Sequence, residues 1–270
     1  MTDPRLSVHT VAFPDTPWPD LVAHWQDFGV RRLSLIDHQL AEPDLPALVA
    51  DGYVVQAVCH VFGGGRLPAD DAQRRASRDR LRRVADAAAA VGAGCVYLLT
   101  GGRGEMSWEQ AASRFAEVLA PGVEHAAAAG VPLAIENASG LYADIHIAHT
   151  LRDTVTLAES AGVGVCIDLF HCWAEADLAG LLRRALPRLA LIQLSDYVLG
   201  DRALPARAVP GDGAIPIAPF VADALAAGYR GGFDLELIGP RIDAEGAAAA
   251  ARRACDVTTA LLEAVGDGVR

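Results

Sequence analysis

Short apolar, β-like runs alternate with helical stretches from one end of this chain to the other. The runs are RLSVHTVAF (5–13), RRLSLID (31–37), YVVQAVCHVF (53–62), GCVYLLTG (94–101), VPLAIEN (131–137), GVCIDLF (164–170), LALIQLSD (189–196) and GFDLELIG (232–239). Several helical stretches between them end in glycine, as helix C-caps do: AAAVGAG, HAAAAG, LAESAG and ALAAGYRG. The longest, DDAQRRASRDRLRRVADAAAAVGA, carries Ala and Val on one face and Arg and Asp on the other. Strands alternating with helices imply a parallel sheet, and eight such units predict an α/β fold, a single (β/α)8 barrel over residues 1–270. A doubly wound open sheet is the alternative, but no GxGxxG follows the first run.

A barrel brings its strand C-termini to one mouth, which gives meaning to four polar residues in the second half of the chain. Glu136 closes VPLAIEN, Asp168 closes GVCID, Gln193 interrupts LALIQLSD, and Glu236 lies in GGFDLELIGP. Alternation along a strand puts Glu136 on the side of Ala134 and Asp168 on the side of Cys166, small neighbours that suit a crowded interior. Three crowded carboxylates repel one another unless a cation neutralises them. With the amide oxygen of Gln193 they form an all-oxygen set for one divalent metal ion. Hard oxygen donors favour Mn²⁺ or Mg²⁺, with Co²⁺ or Zn²⁺ as less suited occupants. Taken singly, each is more often a strand-end hydrogen-bonding group than a ligand; four on successive strands point to a site.

Other candidates surround the expected mouth. His171, in D-L-F-H, is placed to bond a substrate oxygen or carry a proton. His60 ends the third run beside GGGR and is a substrate contact or, equally, a core or rim histidine. Arg103 in TGGRGEMSWE and Arg202 in DYVLGDRALPAR are candidate clamps for an anionic or polyol oxygen, and Trp173 is a candidate pocket wall. Glu105 is a ready partner for Arg103; His9 reads as a buried core group, and Asp37 and His38 as pocket wall. The connection from Tyr197 to Asp212 is long enough to expect a substrate-specific lid.

The set of Glu, Asp-x-x-His, a polar residue and Glu on the last four strands resembles the xylose isomerase-like TIM-barrel superfamily. That superfamily includes ketose 3-epimerases, hydroxypyruvate isomerases, inosose and 3-dehydroshikimate dehydratases, and abasic-site DNA-repair endonucleases. The resemblance extends to PGDGAIPIAPFVADALAAGYRGGFDLELIG, similar to the family's Gly-rich turn, helix and final Glu-bearing strand. It implies a metal-dependent isomerase or epimerase acting on a small polyhydroxylated carbonyl compound through an enediolate. Glu136 and Glu236 would flank the substrate and move its proton, with His171 beside them. The same arrangement serves a dehydratase, the first alternative. One residue departs: where the family commonly has a metal-binding His, this chain reads Gln193, which also keeps open a non-catalytic sugar- or partner-binding barrel.

Composition adds limits. A net charge of −11 argues against nucleic acid, and the endonuclease reading also lacks a histidine in LIQLSD. No run reaches the length of a membrane span, and MTDPRLSVHT has no apolar leader core. Five cysteines without disulfide-like spacing suggest reduced thiols in a cytoplasmic protein. A small molecule is the expected partner, with homo-oligomers common among such barrels.

Overall fold

In a computed structural model, which describes residues 2–268, eight parallel strands close into one barrel in sequence order. The strands are β1 (Leu6–His9), β2 (Arg32–Ile36), β3 (Val54–Val61), β4 (Val96–Leu99), β5 (Leu133–Glu136), β6 (Gly164–Asp168), β7 (Leu189–Leu194) and β8 (Phe233–Leu235). Closure comes from β8 pairing with β1, Leu6 opposite Phe233 and Val8 opposite Leu235. All eight expected strands form, shortened at their ends. In RLSVHTVAF the strand stops at His9 because residues 10–12 turn into a 3₁₀ helix, whose first N–H groups include one capped by the His9 ring.

Around the barrel run α1 (Trp18–Phe28), α2 (Leu45–Ala50), α3 (Asp71–Ala90), α4 (Trp108–Ala128), α5 (Leu151–Ala161), α6 (Leu169–Cys172), α7 (Leu178–Ala185), α8 (Ile217–Ala226), α9 (Pro240–Glu245) and α10 (Ala247–Gly268). Local chemistry sets their limits. Asp70 caps α3 through the N–H of Gln73, and Ser107 and Gln110 cap α4 reciprocally. The four glycines expected to end helices, Gly92, Gly130, Gly162 and Gly228, all adopt positive φ, where a β-carbon is strained.

Two cores result. The larger lies between strands and helices, with Phe62 after β3 packed edge-to-face on Phe115 of α4 at 5.6 Å. The smaller fills the barrel itself: Ala57, Cys95, Tyr97, Ala134, Cys166 and Leu191. Small residues on β3, β5 and β6 leave room for one large ring, Tyr97. Glu136 and Asp168 lie two residues beyond Ala134 and Cys166, so they emerge on the same inner face, directly above this plug. All five cysteines are unpaired. Among the described residues no helix is long and apolar enough to cross a membrane.

Replacing Phe115 by Ala empties a ring-sized space in the larger core. The expected loss is about 3–5 kcal/mol of unfolding free energy, read from the urea midpoint at constant slope.

Candidate active site

At the mouth, Glu136, Asp168 and Glu236 each present one carboxylate oxygen, all within 4.8 Å of one another. The backbone makes this convergence. Asn137 clips β5 to β6, donating from Nδ2 to the Asp168 carbonyl (2.8 Å) and accepting the Asp168 N–H on Oδ1 (2.9 Å). His146, fully buried, accepts the Thr100 N–H on Nδ1 (2.9 Å) and donates from Nε2 to the Glu136 carbonyl (2.8 Å). Burial lowers its pKa to about 3, so the ring stays neutral and keeps those two roles fixed.

The three carboxylates are not equally partnered. Arg207 reaches in from the β7–α8 connection, only 3% exposed. Its Nη2 donates to Asp168 Oδ2 (2.6 Å) and Glu236 Oε1 (2.9 Å), and its Nη1 to Asp168 Oδ1 (3.2 Å) and Ser195 Oγ (3.0 Å). The guanidinium also lies over the Phe170 ring, 4.7 Å from its centroid. The other Glu236 oxygen accepts from Gln193 Nε2. Among the described residues, nothing donates to the Glu136 carboxylate; only its backbone carbonyl is engaged.

Protonation follows this asymmetry. Burial pushes the Glu136 carboxyl well above the carboxylate range, and repulsion from Glu236 and Asp168 adds to it. Glu236 is raised to about 7 by burial, against the pull of Arg207 and with repulsion from Asp168. Asp168 moves the other way: burial opposes its ionisation, but Arg207, His171 and the Phe170 N–H outweigh it. His171, 3.4 Å from Asp168 Oδ2, is lowered to about 4, chiefly by burial.

Beneath the mouth a hydrogen-bond chain orients Gln193. Val11 N–H donates to His9 Nδ1 (2.9 Å), so His9 carries its proton on Nε2 and donates to Tyr97 Oη (2.8 Å). Gln193 Nε2 also donates to Tyr97 Oη (3.3 Å), and Gln193 Oε1 accepts from the Cys166 thiol (3.1 Å). The amide nitrogen, rather than the oxygen expected as a ligand, therefore faces Glu236. A carboxylate in contact with an amide demands a donor, which decides the orientation.

Other expected residues are distributed around the rim. His171, Trp173 and Arg202 line a cavity of about 300 Å³ with Leu141, Phe170 and Tyr197, and His171 links its wall to Asp168 Oδ2 at 3.4 Å. Arg202 is exposed and donates to Tyr197 Oη (3.0 Å). His60 shares the outward face of β3 with Val58; its Nδ1 bonds Asp37 Oδ2 (2.6 Å), which also receives Arg80 of α3 (2.9 Å). That places His60 between barrel and helices, apart from the carboxylates. Arg103 lies in a separate groove with Arg66 and Arg114, donating to the Met106 carbonyl (2.8 Å).

The Tyr197–Asp212 connection is tied down at several points. Asp196, 1% exposed, accepts the N–H groups of Tyr197 (2.8 Å), Ile215 (3.0 Å), Gly211 and Gly213 (both 2.9 Å). Its backbone bridges Ala208 in both directions at 2.8 Å. Gly213 is required here, because a β-carbon would collide with Asp196 and the Tyr197 carbonyl. Arg241 holds Asp201 (2.7 Å) and Arg253 holds Asp212 (2.7 Å). Arg207 and its anchor Asp196 were not singled out in the sequence; the available hint was an arginine enclosed by Ala206, Ala208 and Val209.

With this geometry in place, comparison is informative. The description of the xylose isomerase-like TIM barrel matches residues 10–260. The chain belongs to that family. Among solved structures, protein SMc04130 from Sinorhizobium meliloti 1021 is 27% identical, with a TM-score of 0.82 over 97% of this chain and 98% of that one. An L-ribulose 3-epimerase is 20% identical, with a TM-score of 0.81 over 98% and 97%. IolI, with a bound zinc atom, is 16% identical, with a TM-score of 0.80 over 97% and 99%. The last two share the fold at these identities. No curated protein matches the chain in sequence.

Two measurements check the geometry. His146→Ala leaves the Thr100 N–H and the Glu136 carbonyl unpaired, at about 1–3 kcal/mol each, and the urea midpoint should fall accordingly. The second concerns pH. Glu236 has a folded pKa of about 7 against the ordinary glutamate value of 4.5. The folded state therefore holds the extra proton between those values, and this contribution to stability is lost as pH rises through that window. Melting of metal-free protein should fall from pH 5 to pH 7.5, and Glu236→Gln should flatten that slope.

Proposed function

We propose that this family member is a divalent-metal-dependent isomerase or epimerase acting on a small polyhydroxylated carbonyl compound. The observation that carries the reading is the convergence of one oxygen from each of Glu136, Asp168 and Glu236 beside a cavity of about 300 Å³. The residues fit such an ion on their own chemistry. With a cation displacing the protons of Glu136 and Glu236, three carboxylates and one guanidinium would leave two negative charges, the charge of one divalent cation. The carboxylate oxygens favour Mn²⁺ or Mg²⁺, whereas the zinc atom of IolI shows what a relative's barrel accepts. Gln193 joins as a fourth ligand only if its amide turns to present Oε1.

A bound ion would supply the Lewis acidity that polarises the substrate carbonyl. The chain's own residues account for the rest. Glu136, the carboxylate without a donor, is placed to take the proton from the carbon beside the carbonyl. Glu236 stands three strands away around the barrel and so approaches from another side, able to return a proton. Return to the opposite face epimerises; return to the neighbouring carbon isomerises. Neutral His171 bonds a substrate hydroxyl at the cavity wall. Phe170, Trp173 and Tyr197 keep water from the reacting carbon, and Arg202 orients the distal oxygens at the rim.

The test is deuterium exchange in D₂O with Mn²⁺ and a panel of ketopentoses, ketohexoses and cyclic polyhydroxyketones, followed by proton NMR. One of them should incorporate deuterium at the carbon beside the carbonyl, and Glu136→Gln should slow this by about 10²–10⁴-fold. A product absorbing in the ultraviolet as an enone would assign a dehydratase instead. Absence of exchange across the panel would count against the isomerase reading.

A further inference from the structure

The same three residues, Gly-Gly-Arg, follow two neighbouring strands: Gly64-Gly65-Arg66 after β3 and Gly101-Gly102-Arg103 after β4. The two connections run side by side. Arg66 and Gly102 form a parallel bridge, with the Gly102 N–H donating to the Gly65 carbonyl (3.0 Å) and the Leu67 N–H to the Gly102 carbonyl (3.1 Å). On the other side the Gly101 N–H donates to the Ile145 carbonyl (2.9 Å). Backbone pairing of β3, β4 and β5 thus continues above the barrel. Glycine is required for so close an approach: a β-carbon at Gly102 would collide with the Asp144 carbonyl, and one at Gly101 with the backbone of Arg66.

This platform carries a groove of about 720 Å³ in which Arg66 and Arg103 meet Arg114 of α4. Arg103 Nη1 donates to the Met106 carbonyl (2.8 Å) and Arg114 Nη1 to the Pro68 carbonyl (3.2 Å), leaving the other N–H groups of each fork to spare. Arg66 and Arg103 are exposed and Arg114 is half-buried, and among the described residues no carboxylate pairs with any of them. Glu105 and Asp144 line the groove as well, yet Glu105 does not pair with Arg103 as expected. Three guanidiniums against two carboxylates give the groove a surplus of positive charge in a chain whose net charge is −11.

We propose that this groove is a binding site for a phosphate-type oxyanion, separate from the carboxylate cluster. One fork satisfies a carboxylate; three forks with donors to spare suit a group with more oxygens and more charge. Because the backbone beneath them is fixed, the arginines are gathered before the anion arrives, which lowers the ordering cost of binding. The site also adjoins the mouth. Ser139 and Leu141 wall the cavity beside His171, while Ala143 and Asp144 of the same short segment wall the groove. The phosphate is therefore either a free ion or the charged end of a substrate whose sugar end lies past that segment.

The test is calorimetric titration of inorganic phosphate, pyrophosphate and ribulose 5-phosphate into the full chain in EDTA at low salt. EDTA keeps the mouth free of metal, so the outcome does not depend on the metal reading. Pyrophosphate should bind saturably, and added NaCl should weaken it. Arg66→Gln and Arg103→Gln should each weaken it roughly tenfold or more. Arg183→Gln, which removes the same charge from exposed α7 surface, should leave affinity within about twofold. Tighter binding of ribulose 5-phosphate than of inorganic phosphate supports the proposal and assigns the groove to a substrate's phosphate; equal binding supports it with a free anion as ligand. No saturable binding, affinity unchanged in both groove variants, or an equal loss in Arg183→Gln overturns it. A wild type that binds none of the three, with groove variants that change its oligomeric state by light scattering, makes the groove a protein contact and overturns it too.

Discussion

Like charges crowded at the end of a barrel set the terms for much of this protein's mouth. Glu136, Asp168 and Glu236 approach within 4.8 Å in a setting where water is largely excluded. Left alone, that arrangement would be strongly disfavoured, and the structure answers it unevenly. Asp168 stays ionised because Arg207 faces it; Glu136 and Glu236 are pushed towards their protonated forms. A cluster that holds protons near neutrality and can give them up to a cation is suited both to moving a proton and to binding a cation.

Much of the surrounding structure holds these groups in place. Asn137 and His146 extend the pairing of β4, β5 and β6 past the strand ends, so Glu136 and Asp168 do not drift apart. The chain from His9 through Tyr97 fixes the Gln193 amide from below. Asp196 folds the connection after β7 around itself and delivers Arg207 from above. That connection, expected from its length to act as a lid, is instead braced by Arg241 and Arg253 against the C-terminal helices.

The barrel was legible because eight apolar runs alternate with helices, and the strand-end acids were legible because a carboxylate there interrupts a pattern that otherwise selects Val, Ile and Leu. Residues whose roles depend on long-range contacts were harder to find. Arg207 sits in a loop, where no periodicity says which side chains turn inward, and the exposed Arg202 in the same stretch was chosen instead. His60, open as a substrate contact or as a core or rim group, was undecided for a related reason. β3 is buried on both faces, so no alternation tells inward Cys59 from outward His60. Gln193 was found, but the direction of its amide depends on Glu236, Tyr97 and Cys166, which come from three other strands or strand ends.

The most direct measurement is anomalous diffraction from crystals soaked in Mn²⁺. The account predicts one strong peak at the barrel mouth, with Glu136, Asp168 and Glu236 as its protein neighbours. A mouth that stays empty while Mn²⁺ binds in solution, or a peak elsewhere on the molecule, would contradict it.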